Sequence, residues 1–295
     1  MQHLPSSEYD RWKIDAVRTA LSRHGLTPEI NPLMKVPVDA RRRATLGFVM
    51  TAAGPVLGFN GAYTDRIVGM DGCPLLAPPL ARLWKPLREF CARVFKAPAR
   101  ADVRITAADA GSVEIVVIGD QKLDLPVREA IADFANAHDI ARFCWQRGGE
   151  TPEPVVQRSP VKLTIGKAVI EFPMGGFLQP SAEGEGILQE LVLNGVGESR
   201  HVADLYCGIG TFAFKMASLK KHVLAVDDNA SQVAALDQAA GRAGLGGYME
   251  TEVRDLRAAP LPPKSFEAIE AVVFDPPRAG ARSQAEAPSG RAAPR

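Results

Sequence analysis

Two short runs fix most of what this chain can fold into. Asp204-Leu-Tyr-Cys-Gly-Ile-Gly-Thr-Phe212 is an apolar strand entering a glycine turn, and Phe274-Asp-Pro-Pro-Arg-Ala-Gly280 is an apolar strand ending in a carboxylate and two prolines. His201 to Leu205 reads as the first strand and Phe212 to Leu219 as the helix behind it, so Gly208 and Gly210 let backbone approach a ligand at the helix start. Val223-Leu-Ala-Val-Asp227 is a second apolar run closed by a carboxylate, the position from which ribose hydroxyls are held. Strand patterns near 201–205, 222–227, 248–253 and 270–274, with helices between them, predict an α/β fold with a parallel sheet in the order 3-2-1-4.

A nicotinamide dehydrogenase uses the same parts, so the flanking residues must discriminate. Asp204 lies inside the first strand, where a carboxylate suits a cationic methionine group better than a pyrophosphate. Asp275-Pro-Pro puts another carboxylate at a strand's carboxyl end, its turn stiffened by the prolines beside the cofactor crevice. Both favour S-adenosylmethionine, with Asp227 on its ribose. A methyltransferase acting on another substrate, such as an amide nitrogen, stays open at this point, as does a noncatalytic RNA- or cofactor-binding module.

With Gly176-Phe-Leu-Gln179 preceding them, these runs resemble the RNA uracil-5-methyltransferases, and among them the ribosomal-RNA branch. The resemblance implies a Rossmann-like class I methyltransferase domain, here with strands 1 to 4 and therefore incomplete, preceded by an α+β domain of RNA-binding type. It implies cofactor contacts from Gln179, Tyr206, Thr211, Asp227 and Asp275, beside the Gly208, Gly210 and Asp204 of the glycine turn. RNA, ribosomal RNA first, is the implied partner, and Arg278 the residue serving RNA or the surroundings of a flipped base. Ser181 and Thr211 stand where many members carry Asn.

In the family, a cysteine thiolate adds to uracil C6, C5 takes the methyl group, and a base removes the C5 proton. That cysteine sits in an S-C-N-P-like turn after strand 5, yet no cysteine follows Asp275 here. Cys207 in the glycine turn reads as a small turn residue, so no catalytic residue is assigned. The opening Met1-Gln-His-Leu resembles the end of a segment whose cysteines belong to an iron–sulfur cluster, and Cys73 resembles its fourth ligand; a single thiol is not expected to hold a cluster. Ala281 to Arg295 reads as a disordered tail. The expectation is a methyltransferase ancestry truncated at both functional ends, without turnover as written. An apolar strand 4 left at the sheet edge is then expected to favour self-association.

The expected domains are 1–147, a linker at 148–160 around Gly148-Gly-Glu-Thr-Pro-Glu-Pro154, a cofactor domain at 161–281 and a tail at 282–295. In the first, Tyr9, Trp12, Ala16, Val17, Ala20 and Leu21 have the spacing of a core helix. Strands near 42–50 and 55–59, a helix at 77–96, strands near 102–107 and 112–118, a helix near 127–137 and a short strand with Phe143 and Trp145 follow. Net charge is only +1, so an RNA surface must come from local clustering, and Arg41-Arg-Arg43 at a strand entry is the best cluster. Four scattered cysteines and five histidines without ligand spacing predict neither a disulfide scaffold nor a metal site. With no membrane-length apolar run and no signal pattern, the cytoplasm is the expected location.

Overall fold

A computed structural model describes residues 4–286. The expectations for Met1-Gln-His and for the tail from residue 287 lie outside the described residues. The chain divides into two compact units, Met1–Pro37 and Val38–Arg295. In the first, α1 (Ser6–Ser22) forms with the expected spacing, but none of its residues is buried. The expectation of a core helix is corrected: among the described residues of its unit there is no second helix or strand for it to pack against.

The second unit opens with β1 (Arg43–Thr51), β2 (Gly54–Asn60) and β3 (Ile67–Gly69), followed by α2 (Pro78–Ala81) and α3 (Trp84–Val94). The single helix expected over 77–96 is thus two. Pro86 has no N–H to give, and its ring would meet the carbonyl four residues earlier, so a new helix starts at Trp84. Next come β4 (Ala99–Ala107), β5 (Val113–Gly119), α4 (Leu125–Ala137), β6 (Arg142–Gln146) and β7 (Glu153–Gln157). Ala110-Gly111 makes the β4–β5 turn, with φ of 53° and 71°. These strands form one sheet in the order β3-β2-β1-β4-β5-β6-β7, in which only β5 and β6 run parallel. The linker expected at 148–160 is corrected by β7, which pairs with β6 as an edge strand, where Pro154 is tolerated.

One face of this sheet carries the core: Leu46, Phe48, Val103, Ile115, Phe143 and Trp145 pack with Leu80, Leu87, Phe90 and Phe134. Burying such side chains stabilises by about 1.5–3 kcal/mol each. Glu114 and Arg142 meet in register on adjacent strands as a buried ion pair. Their remaining polar atoms grip the segment that leads toward the second sheet. Arg142 Nη2 donates to Phe172 O at 2.7 Å, and Gly175 N donates to Glu114 Oε1 at 3.0 Å. Arg104 Nη1 donates to Gly175 O at 3.2 Å.

After the hairpin β8 (Lys162–Ile165) and β9 (Ala168–Glu171), α5 (Ala182–Val196) starts at Ser181, whose Oγ accepts from Gly184 N. Then β10 (His201–Leu205), α6 (Ala213–Ser218), β11 (His222–Asp227), α7 (Ala230–Arg242), β12 (Met249–Val253) and β13 (Ala271–Phe274) build a parallel sheet ordered β12-β11-β10-β13. This is the expected 3-2-1-4 order, with β13 at the edge. α8 (Arg282–Glu286) corrects the start of the expected tail: Gln284 is buried, and its Oε1 accepts from Leu261 N at 2.7 Å.

Asp204 lies in β10 with no exposed surface, and neither carboxylate oxygen has a hydrogen-bond partner among the described residues. Burial pushes its pKa up to about 8; the Ala213 backbone amide opposes the shift without meeting hydrogen-bond geometry, and the charges of Asp275 and Asp227 add to it. The native state therefore keeps a proton that the unfolded chain has lost between the ordinary carboxylate range and about pH 8. Stability falls as pH rises through that window and levels above it. Thermal unfolding followed from about pH 5 to about pH 8 is expected to show Tm falling in the native chain and a flatter profile in Asp204→Asn. Identical profiles would mean that Asp204 is ionised in the fold.

Candidate functional site

The carboxyl ends of β10, β11 and β13 open into one cavity of about 560 Å³. This is where a doubly wound sheet binds ligands, because the connections from the central strand diverge to opposite sides there. Gln179, Tyr206, Gly208, Thr211, Asp227, Asp275 and Arg278 all line it, so the structure brings together residues from four separate sequence segments. Phe177, Ile209, Phe212, Asp228 and Gln232 line it too.

Asp227 organises the floor. Its Oδ2 accepts from Gly208 N and its Oδ1 from Asn229 N, both at 2.9 Å, tying the glycine turn to the end of the neighbouring strand. Gly208 adopts φ +56°, and a Cβ there would come within 3.3 Å of Gln232 Oε1. Gln232 reaches the turn because Asn229 caps α7 and accepts from Gln232 N at 3.2 Å. That Asn-x-x-Gln start was a legible capping signal. Asp228 beside it has its pKa raised, first by burial and then by the charges of Asp227 and Asp255.

Tyr206 holds φ +64°, a conformation that costs a non-glycine residue of order 1–3 kcal/mol and recurs at ligand sites. Its N–H donates to Val226 O at 2.8 Å, and its ring stands edge-on to Phe274 at 5.7 Å. Its hydroxyl is buried without a partner among the described residues. Thr211 is placed from behind: Gln189 Nε2 donates to its carbonyl at 3.1 Å.

Two glycine-turn readings are corrected. Gly210, with φ +89°, does not line the cavity. A Cβ there would lie 2.8 Å from Leu236 Cδ1 and 2.9 Å from the Phe214 ring, so it lets α6 and α7 pack closely. Asp204 does not line the cavity either; it is sealed beneath the turn. Cys207 lines the cavity but is 4% exposed, and burial, then Asp204 and Asp227, hold its pKa well above the ordinary value. It stays a thiol, which is a poor nucleophile.

The arginine run splits. Arg41 is exposed, and the Arg43 guanidinium lies 4.8 Å from the centre of the Phe177 ring, at the edge of the cavity. Burial, Arg104 and Arg41 each lower the Arg43 pKa, so this is a crowded positive corner. Arg42 turns inward, its side chain 11% exposed and paired with Glu185 Oε2 at 2.7 Å, so its assignment to an RNA surface is corrected. Sequence spacing gave no signal for a partner on α5.

Cys73 is half-buried, whereas Cys91 and Cys144 are buried in α3 and β6, and burial pushes the Cys144 thiol up to about 12. Among the described residues, no group of three or more His, Cys, Asp or Glu side chains could hold a metal ion. No described helix is long and apolar enough to cross a membrane.

No family model matches the chain. It is 34% identical to an uncharacterized RNA methyltransferase of Brucella suis biovar 1, over 97% of this chain and 67% of that protein. It is 31% identical to the 23S rRNA (uracil(1939)-C(5))-methyltransferase RlmD of Chromohalobacter salexigens, over 96% of this chain and 61% of that one. Among solved structures, the tRNA (uracil-54, C5)-methyltransferase of Pyrococcus abyssi, in complex with S-adenosyl-L-homocysteine, superposes with a TM-score of 0.71 at 19% identity, covering 96% of this chain and 70% of that one. That likeness is one of fold, and it carries the Rossmann-like class I sheet. With its glycine turn, its Asp227 anchor and a relative 34% identical over nearly its whole length, the chain belongs to the RNA methyltransferase family.

Proposed function

We propose that the cavity binds S-adenosylmethionine and that the chain serves C5 methylation of uridine in ribosomal RNA. The observation that carries the cofactor reading is charge: Asp227, Asp228 and Asp275 face one cavity in which Arg278 is the lone cation among the lining residues. A sulfonium is attracted by that field, and a pyrophosphate is repelled. The groups present fit the cofactor. Asp227 keeps lone pairs for two ribose hydroxyls beyond its backbone bonds, the Tyr206 hydroxyl lacks a partner among the described residues, and Phe177, Ile209 and Phe212 offer apolar surface. When bound, S-adenosylmethionine supplies an electrophilic methyl group.

The relative named for a 23S ribosomal RNA uracil supports the RNA class and the uridine C5 position. Arg41, Arg43 and Arg278 then meet RNA phosphate or the surroundings of the target base, while Arg42 does not. Addition to uracil C6 requires a thiolate, and Cys207 is held as a thiol. That observation favours a second reading for the chain taken alone: binding of cofactor and RNA without transfer. Formation of 5-methyluridine on unmodified ribosomal RNA separates the two. We also propose self-association along β13, beside a groove of about 490 Å³ lined by Leu188, Val192, Val272 and Phe274.

Calorimetry with S-adenosylhomocysteine is expected to show binding that Asp227→Asn weakens about 10-fold or more, the scale of a hydrogen bond to a charged group. Binding of NADH in place of S-adenosylhomocysteine would overturn the cofactor reading. Replacing Arg41 and Arg43 by Gln is expected to flatten the salt dependence of RNA binding, the slope falling by about 0.7 for each single-strand phosphate that is no longer neutralised. An unchanged slope removes both from the interface. Sedimentation at rising concentration is expected to show dimers; a clean monomer contradicts association through β13.

A further inference from the structure

Residues 176–181 put Gln179 into the cavity, yet they belong to neither a strand nor a helix. No ladder fixes the direction in which Gln179 points. Leu178 anchors the stretch on one side, buried with Phe172 and Ile209. On the other side a single residue takes two consecutive carbonyls. Arg42 N donates to Pro180 O at 2.8 Å, and Arg42 Nε donates to Gln179 O at 3.1 Å. The same guanidinium uses Nη2 to bond Glu185 on α5 at 2.7 Å, while the Arg42 carbonyl accepts from Ala107 N at 2.8 Å.

One helical turn beyond Glu185, Gln189 donates to the Thr211 carbonyl in the cavity wall. Arg42 is therefore the joint of a continuous set of bonds. It runs from the end of β4 through the Gln179 segment and α5 to the glycine turn. Stability alone does not account for the pair, because a buried ion pair replaced by apolar side chains of similar volume is often neutral or stabilising. What the planar fork supplies is direction, since it satisfies two acceptors at a fixed angle, which an ammonium point charge does not.

We propose that Arg42 is a positioning residue for the cofactor cavity, holding the Gln179 main chain so that its side chain faces the ligand and, through Glu185 and α5, steadying the Thr211 wall. This rests on the cofactor reading above for its ligand, but not for its hold on residues 176–181.

The test compares the native chain with Arg42→Lys and with the double variant Arg42→Met/Glu185→Leu. Three readouts are taken: Tm, the Kd for S-adenosylhomocysteine, and amide hydrogen exchange of a peptide covering 176–181 in the free protein. The double variant, with the buried charges gone, is expected to keep a Tm close to native while its 176–181 amides exchange faster and Kd rises about 10-fold, the loss of one charge-assisted hydrogen bond. Arg42→Lys is expected to fall between the two. Native exchange and native Kd in a folded double variant would overturn the proposal and leave Arg42 a structural residue. If the double variant does not fold, Arg42→Lys decides on the same two readouts: faster exchange with weaker binding supports the proposal, and native values overturn it. If the native chain itself binds no S-adenosylhomocysteine, the cofactor reading fails, and exchange alone decides the role of Arg42 in the same directions.

Discussion

The two amide bonds accepted by the Asp227 carboxylate hold the site together. A carboxylate at the end of β11 would otherwise face the carboxyl-end crevice with no fixed direction. By taking Gly208 N on one oxygen and Asn229 N on the other, it locks the turn after β10 to the turn after β11 and leaves its outer lone pairs toward the cavity. Tyr206 is held at φ +64° within the same turn, so the cavity wall is formed by backbone that would relax if this tie were cut. Asp204, sealed beneath, adds a buried acid whose protonation sets how much negative field the turn contains.

The seven-stranded sheet contributes through its polar residues rather than its apolar core. Glu114, Arg142 and Arg104 of the sheet fix residues 172–175, and Arg42, just before β1, fixes 179–180 through its main-chain N–H and its guanidinium, so both ends of the Phe177-to-Gln179 element are held. Buried charges in these places are costly unless fully paired. Their partners are main-chain carbonyls and amides of the element that reaches the cavity. The crowded Arg41 and Arg43 lie next to this element, which sets a basic corner beside an acidic pocket. That division of charge suits a cationic cofactor and a polyanionic substrate meeting at one mouth.

Much of the parallel sheet was legible because each strand is a short apolar run closed by a carboxylate or turn signal. The bounds 201–205 and 222–227 coincide with β10 and β11, and the strand order follows from the fold's connectivity. What escaped was long-range pairing. Arg41-Arg-Arg43 looks like one basic patch in sequence, but Glu185 and the Gln179 carbonyl, far along the chain, turn the middle arginine inward. Gly210 looked like a ligand glycine, and only the positions of Leu236 and Phe214 show that it makes room for helix packing. The Gly148-to-Pro154 run reads as a linker because its prolines and glycines look like a break, yet an edge strand such as β7 tolerates Pro154. The α1 spacing was right for a helix and silent on whether anything covers it.

The most direct measurement is a structure of the chain with S-adenosylhomocysteine bound. The predicted result has the ribose hydroxyls on the Asp227 carboxylate and the amino-acid end toward Gln179 and Asp275, between the ends of β10 and β13. A ligand seated anywhere else, or with its ribose turned away from Asp227, would contradict the assignment of this cavity.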